Sequence, residues 1–261
     1  MTPSPPRGEG GGEGHLRPSP STPRFTRIDA LRGVAVVWMT AFHFSFDLTH
    51  AGLWLQNFYA DPFWTWQRVA IVSLFLFCAG LGQAVATQQA VGWPRFWRRW
   101  AQVAACALLV SVGSAVMFPN SWIYFGVLHG IAVMLLVARL TARCGLWLWP
   151  MGALAIASKF IAAYAISISA SGLFFNQKTV NWLGWITQKP ITEDYVPIFP
   201  WLGVLWWGMA AGFWLLKKHP QWLQGAAPRS FVWLGRWSLP YYLLHQPVLI
   251  GLVSAFTWFK A

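Results

Sequence analysis

The sequence predicts an all-α protein, a polytopic bundle of about seven transmembrane helices. Of the chain, 56% is hydrophobic and 10% is charged, whereas soluble domains carry roughly 25% charged residues. Apolar stretches long enough to cross a bilayer follow one another, because ~20 helical residues span the ~30 Å hydrocarbon core. The 20 tryptophans, several of them near the ends of these stretches, suit a membrane interface. An ordinary soluble domain is therefore excluded.

The apolar stretches are separated by short polar connections, with one exception at residues 171–195. The predicted spans cover residues 28–48, 69–90, 98–117, 122–139, 145–170, 196–216 and 238–259. Residues 1–24 are rich in Pro, Gly and Ser and poor in apolar residues, which predicts a disordered tail. Residues 25–261 are therefore predicted to form a single transmembrane domain.

Basic residues are concentrated in alternate connections, which predicts the orientation. On one side lie Arg7, Arg17, Arg24, Arg27, Arg32, Arg95, Arg98, Arg99, Arg139, Arg143, Lys217, Lys218, Arg229 and Arg236, and on the other Arg68, Lys178, Lys189 and Lys260. Because basic connections stay in the cytoplasm, we expect a cytoplasmic N-terminus and an outer C-terminus.

The net charge of +12 does not indicate a nucleic-acid partner. Its basic residues are scattered between apolar spans and form no basic face. Cys78, Cys106 and Cys144 lie in or beside apolar spans without metal-type spacing. We therefore predict neither a metal site nor a disulfide.

The first span carries ionisable residues at both ends. Asp29 and Arg32 stand at its inner end, and His43 and Asp47 lie four residues apart near its outer end. Residues at i and i+4 share a helix face, so we expect the imidazole and the carboxylate to meet. Ionisable groups at membrane depth are costly and usually functional, which makes this span the candidate site.

The other ionisable residues in or beside the spans fall into two sets by their predicted depth in the membrane. Arg68, His129 and Asp194 belong to the outer set, and Arg98, Arg99 and Arg236 to the inner set. His245 lies nine residues beyond Arg236, which places it ~13 Å above the inner face, between the two sets.

Linked motifs carry a family resemblance. R-I-D-A-L-R-G opens the first span and H-F-x-F-D-L closes it; S-L-F-L-F-C-A-G stands in the second, F-G-V-L-H in the fourth, D-Y-x-P-x-x-P-W-L-G in the sixth and G-R-W-S-L-P-x-Y-L-L-H-Q-P in the last. In this order, from Arg24 to about Val253, they resemble a bacterial membrane family similar to the catalytic domain of heparan-α-glucosaminide N-acetyltransferase.

The resemblance implies a multi-pass acyltransferase of the bacterial inner membrane. Its co-substrate is acetyl-CoA or another acyl-CoA, bound on the cytoplasmic side without a metal. Its acceptor is a saccharide or glycan hydroxyl or amine on the far side. Membrane lipids are the other expected partners, and the sequence leaves open whether the protein forms a homo-oligomer.

Acyl transfer needs a base, and neutral imidazole can accept a proton near pH 7. We predict His43 as the base, oriented by Asp47, with a hydrogen bond at a helix end as the alternative. His129 and His245 are further catalytic candidates. The alternatives are a bond between helices for His129 and, for His245, a cap on a carbonyl that Pro247 leaves free.

Guanidinium groups suit the phosphates of coenzyme A, so the inner arginines are predicted to bind this co-substrate. These are Arg32, Arg98, Arg99 and Arg236. Positive-inside placement explains them equally well. Arg68, Asp194 and Trp201 are predicted to contact the saccharide. The alternatives are a stabilising charge at a helix N-terminus for Asp194 and interface anchoring for Trp201.

A second function stays open. Buried His and Asp side chains also serve as proton relays, so the chain could instead be a transporter or carrier for a sugar-linked or lipid-linked substrate. Uptake into vesicles that needs no coenzyme A would distinguish this alternative from the acyltransferase.

Overall fold

The computed structural model describes residues 25–169 and 171–260, and within them every regular element is helical. The helices are α1 (Thr26–His50), α2 (Pro62–Gln88), α3 (Trp93–Met117), α4 (Val127–Leu140), α5 (Leu148–Ser167), α6 (Gly172–Phe175), α7 (Ile198–Lys218), α8 (Pro220–Gln224), α9 (Arg229–Arg236) and α10 (Ser238–Lys260). Two 3-10 turns, Ala142–Trp147 and Asn181–Leu183, complete the set. The predicted tail, residues 1–24, lies outside the described residues.

Five helical stretches are long and apolar enough to cross a membrane, which confirms a multi-pass membrane protein. They are Pro62–Gln88, Trp93–Met117, Ala142–Ser167, Ile198–Lys218 and Ser238–Phe259. The first predicted span is the 25-residue α1, whose charged and polar side chains keep it out of this set. The fourth is α4, whose 14 residues are shorter than a bilayer core. The number seven and the orientation therefore remain predictions. Below, the end of α1 that carries Asp29 is called the inner end and the end that carries Asp47 the outer end, after that predicted orientation.

Local signals explain where the helices depart from the predicted boundaries. α2 begins seven residues before the predicted span because Asp61 caps it, accepting the Phe63 N–H at 2.8 Å, and Pro62 follows as the first helical residue. The predicted fifth span begins at Gly145, which has a φ of 55° and lies inside the 3-10 turn Ala142–Trp147, so the α-helix α5 starts only at Leu148. α10 matches the last predicted span, and the preceding basic stretch forms the separate helix α9.

The helix α7 lies at the centre, packed between α2 and α5. Its glycines allow close approach: a Cβ built on Gly208 would lie 2.2 Å from the Phe77 carbonyl oxygen of α2, and one on Gly203 would lie 2.4 Å from the Gly152 oxygen of α5. Small residues at such crossings are typical of membrane helices, where packing rather than water exclusion drives association.

The helix α1 packs against α2, α9 and α10. A Cβ on Gly33 would clash with the Phe231 backbone, and one on Gly235 with the Asp29 backbone, so α9 lies directly on the inner half of α1. Because α9 covers the inner half, α10 meets the outer half. This arrangement positions the candidate site.

Candidate active site

A polar seam joins α1 to α10. It consists of Thr40, His43 and Asp47 on α1 and of Tyr241, His245 and Gln246 on α10. The three α1 residues follow the spacing i, i+3, i+7, which places them on one helix face. Thr40 Oγ1 and the Tyr241 hydroxyl make the first contact, at 2.8 Å.

Two imidazoles form the centre of the seam. His43 Nδ1 lies 2.8 Å from His245 Nε2, and the two ring planes are nearly parallel, with centroids 5.0 Å apart and 12° between the planes. His245 is 7% exposed, and its Nδ1 lies 2.8 Å from the carbonyl oxygen of Tyr242. The structure therefore brings together two of the four predicted catalytic residues.

These contacts determine which nitrogen of each ring carries hydrogen. A carbonyl oxygen only accepts, so His245 Nδ1 must donate to Tyr242. With both rings neutral, His245 Nε2 is then an acceptor and His43 Nδ1 must donate to it. In this state the lone pair on His43 Nε2 can accept a proton, and no hydrogen bond among the described residues occupies it.

Asp47 contacts a carboxamide rather than His43. Gln246 Nε2 donates to Asp47 Oδ1 at 2.9 Å, and Asp47 is 7% exposed. Among the described hydrogen bonds none joins Asp47 to His43. Both side chains do share a helix face, as the spacing predicts, but both point across to α10. The partner that orients His43 is therefore His245.

The depth of His245 in a bilayer stays a prediction, and the structure shows which residue it contacts. We expected it between the inner and outer sets, and it contacts the outer residue His43. The prediction counted residues from Arg236 along one helix. Trp237 interrupts the chain between α9 and α10, so that count does not give the level of α10 against α1.

Asp194 contacts the imidazole pair indirectly, through Tyr242. Its Oδ2 accepts the Val127 N–H at 2.7 Å, at the start of α4, and the Tyr242 hydroxyl at 3.4 Å. Burial raises the pKa of Asp194, and the Val127 N–H opposes that shift by favouring the carboxylate. The charges of Lys189 and Arg68 also act on this carboxyl. Tyr242 therefore links Asp194 to the imidazole pair, because its hydroxyl donates to Asp194 and its carbonyl oxygen accepts from His245 Nδ1.

His129, the remaining catalytic candidate, lies at the first turn of α4. Its Nδ1 accepts the Gly126 N–H at 3.3 Å, and its Nε2 lies 3.0 Å from Ser111 Oγ on α3. Both ring nitrogens thus have partners in the local structure. These contacts join α4 to α3 and do not reach the imidazole pair.

We predict that Asp194→Ala destabilises the protein by about 0.5–2 kcal/mol, because a helix N-terminus loses its acceptor. Thermal unfolding of the purified protein in detergent measures the change. Glu193→Ala is the matched control, since the side chain of that exposed neighbour accepts, among the described hydrogen bonds, from the Ser121 hydroxyl alone. Equal melting of the two variants would contradict the assignment of Asp194 as a cap.

A charge cluster marks the inner end of α1. Asp29 pairs with Arg32 at 3.1 Å and with Arg236 at 3.8 Å, and the charges of Arg32 and Asp29 also act on Arg99. Arg32 further donates to the Cys78 carbonyl oxygen at 3.5 Å. Several guanidinium groups therefore surround one carboxylate, which leaves the cluster positive and able to attract an anion.

For two of the predicted binding residues, no described contact joins them to the inner charge cluster or to the imidazole pair. Arg98 is exposed on α3, and Trp201 packs against the core around α7. Between the inner cluster and the imidazole pair, the buried residues of α1 are apolar: Gly33, Ala35, Val36, Met39 and Phe42. An apolar layer therefore separates the two polar ends.

Two open grooves flank α1. The inner groove, of about 410 Å³, runs beside Arg27 and is otherwise apolar. The outer groove, of about 430 Å³, is lined by Ala41, Phe42, Ser45, Trp54, Gln56, Phe63, Trp64 and Gln67. Its wall contains aromatic rings and two carboxamides, and Phe42 is the neighbour of His43 in the chain. The sequence reasoning did not identify this groove.

Four polar residues of the site were not predicted from the sequence. Thr40, Tyr241, Tyr242 and Gln246 carry it together with the histidines. A polar residue at i−3 from His43, and a Tyr-Tyr pair one turn before His245, were the signals that could have identified them. No group of three or more His, Cys, Asp or Glu residues is placed to hold a metal ion in the part of the chain that the structure describes.

These features define a class of protein. It is a multi-pass helical membrane protein that has a buried imidazole pair, a carboxyl group at its outer end and a basic cluster at its inner end. Within that class, the sequence model "Heparan-alpha-glucosaminide N-acetyltransferase, catalytic" matches residues 24–247. The chain belongs to this family, which is one of membrane acetyltransferases. Comparisons with curated proteins and with solved structures gave no match.

Proposed function

We propose that the protein transfers an acetyl or other acyl group from acyl-CoA, bound at the cytoplasmic end, to a saccharide or glycan at the outer end. In this proposal α1 and α4 also cross the bilayer, giving seven spans with the N-terminus inside. The observation that carries the proposal is the imidazole pair, because its bonding leaves His43 Nε2 free to act as a base. Family membership supports the reaction type.

The chemistry needs one proton acceptor. His43 Nε2 removes the proton from the acceptor hydroxyl or amine as its oxygen or nitrogen attacks the thioester carbonyl. The carbon–sulfur bond breaks, and the imidazolium returns the proton to the departing thiolate, giving coenzyme A as the free thiol. His245 stabilises the transient charge on His43 because its Nε2 accepts from the protonated ring.

The two ends supply binding. The positive cluster around Asp29 suits the phosphates of coenzyme A, and the outer groove offers the exposed ring of Trp54 for stacking on a sugar ring. Arg32 and His43 are eleven residues apart on α1, or about 16 Å. The extended pantetheine arm of coenzyme A is suited to bridge such a separation, along the apolar layer between the two ends.

Incubation of the purified protein with radiolabelled acetyl-CoA and a panel of amino- and hydroxyl-bearing saccharides tests this function. We expect label in the saccharide and release of free thiol in equal amounts. Proton-coupled uptake of a saccharide into vesicles without coenzyme A, and no transfer of label, would instead support a transporter.

We predict that Arg32→Gln weakens coenzyme A binding about 10- to 100-fold, because a hydrogen bond to a charged group contributes about 1.5–3 kcal/mol. Asp29 keeps Arg236 as a partner, so the inner end retains an ion pair. Calorimetric titration with coenzyme A measures the effect, with the exposed Arg95→Gln as control. Unchanged affinity in Arg32→Gln would remove Arg32 from the phosphate site.

A further inference from the structure

Three buried oxygen atoms near the outer end of α1 lack a hydrogen-bond partner among the described residues. They are Asp47 Oδ2, Gln246 Oε1 and Thr49 Oγ1. The threonine hydroxyl carries its own hydrogen, but the carboxylate and carboxamide oxygens are pure acceptors. Asp47 and Gln246 are already joined by one hydrogen bond, yet each keeps an acceptor without a partner. This requires an explanation, because buried polar atoms without a partner are rare and destabilising.

No ion pair among the described residues includes Asp47. The described ion pairs lie at the inner end of α1. Toward the outer end, the packed elements carry the titratable groups His43 and His50 on α1, His245 on α10 and Arg68 on α2, while Arg229 and Arg236 of α9 lie at the inner end. An ionised carboxylate that is 7% exposed, with one hydrogen bond and no cation bonded to it, is costly at membrane depth.

We propose that Asp47 and Gln246 form a proton-binding site, in which Asp47 is the neutral acid. A proton on Oδ2 turns that atom into a donor. A carboxylic acid and a carboxamide are planar groups that can pair through two parallel bonds: the observed Gln246 N–H to Oδ1, and an O–H from Asp47 to Gln246 Oε1. One proton thus satisfies both unpaired acceptors and removes the buried charge.

The hydrogen bond between Asp47 and Gln246 joins α10 to α1. It lies one turn beyond the contact between His43 and His245, toward the outer end of α1. The remaining outer part of α10 is sparsely packed, with Val248, Leu252 and Phe256 more than half exposed. Loss of the proton leaves a carboxylate beside an amide oxygen, so the fastening weakens as pH rises. The proposal concerns the proton site and does not depend on acyl transfer.

Infrared spectroscopy of the full-length protein in nanodiscs at neutral pH tests it. We expect the carbonyl band of a protonated carboxyl group in the wild type, its loss in Asp47→Asn, and a shift of that band in Gln246→Leu. Asp61→Asn, at the exposed N-cap of α2, is the control and should keep the band. A spectrum that shows only carboxylate bands, or one in which the carboxyl group changes on exchange of sodium for a larger cation, would overturn the proposal.

A second measurement keeps the test independent of the spectrum. An asparagine side chain can donate through Nδ2 and accept through Oδ1, so Asp47→Asn copies the neutral acid. We expect the wild type to lose thermal stability relative to Asp47→Asn as pH rises from about 4, where the aspartate of the unfolded chain ionises, to the higher pH at which the folded site releases its proton. Parallel curves for the two proteins would contradict a bound proton.

Discussion

Replacement of His43 by alanine is expected to reduce acyl transfer about 10²- to 10⁴-fold, the range that general-base catalysis contributes. The physical reason is the hydrogen-bond pattern: the Tyr242 carbonyl fixes His245, and His245 fixes His43 with its free nitrogen available. The initial rate of label transfer from acetyl-CoA is the measurement.

Two further variants separate catalysis from folding. His43→Gln keeps an N–H that can donate to His245 Nε2, so the seam stays joined while the base is lost. It should be as inactive as His43→Ala but melt like the wild type. His50→Ala removes an exposed imidazole from the same helix and should remain active. Activity that survives both His43 variants, or that disappears in His50→Ala, would remove His43 from the mechanism.

Gly208→Val is expected to cause the largest loss of stability, at least about 3 kcal/mol, the upper part of the range for overpacked cores. Any Cβ at this position would lie 2.2 Å from the Phe77 carbonyl oxygen of α2. On the facing side, a Cβ built on Gly80 of α2 would lie as close to the Leu205 carbonyl oxygen of α7. Backbone cannot yield as the end of a side chain can, so α2 and α7 must separate. Thermal unfolding and the monodisperse fraction in detergent measure the effect.

Gly113→Val provides the matched control. This glycine lies on α3, and a Cβ there meets no atom within 4 Å. We expect its melting temperature to stay close to that of the wild type, because surface substitutions usually change stability by no more than about 0.5 kcal/mol. Similar melting of the two valine variants would show that the crossing of α2 and α7 is looser than the structure has it.

Much of the fold could be predicted because a bilayer leaves few solutions. Backbone polar groups in lipid must bond within their own segment, so long apolar stretches become helices. For α1 the predicted helix agrees with the structure within two residues but its crossing of a membrane stays a prediction, and α4 begins five residues later than predicted. α1 carries the polar residues of the site, and α4 is short because residues 118–126 form a non-helical connection in which Ser114 and Ser111 bond the Ile123 backbone.

The site was only partly predictable. His43 and Asp47 are visible as ionisable residues in an apolar span, and helical spacing correctly places them on one face. Spacing within one helix cannot reveal a partner on another helix that is 202 residues away in sequence, as His245 is from His43. For the same reason the carboxamide of Gln246 replaced the histidine that we expected beside Asp47.

Composition and the order of the apolar stretches therefore determined by themselves that this chain is a multi-pass helical membrane protein, and six motifs identified its family. Only the tertiary structure decided which polar groups meet. Hydrophobicity is read along the chain and needs no partner, whereas a hydrogen bond has a direction and a length that only packed helices define. The packing of α9 on the inner half of α1 leaves the outer half to α10, and that placement creates the imidazole pair.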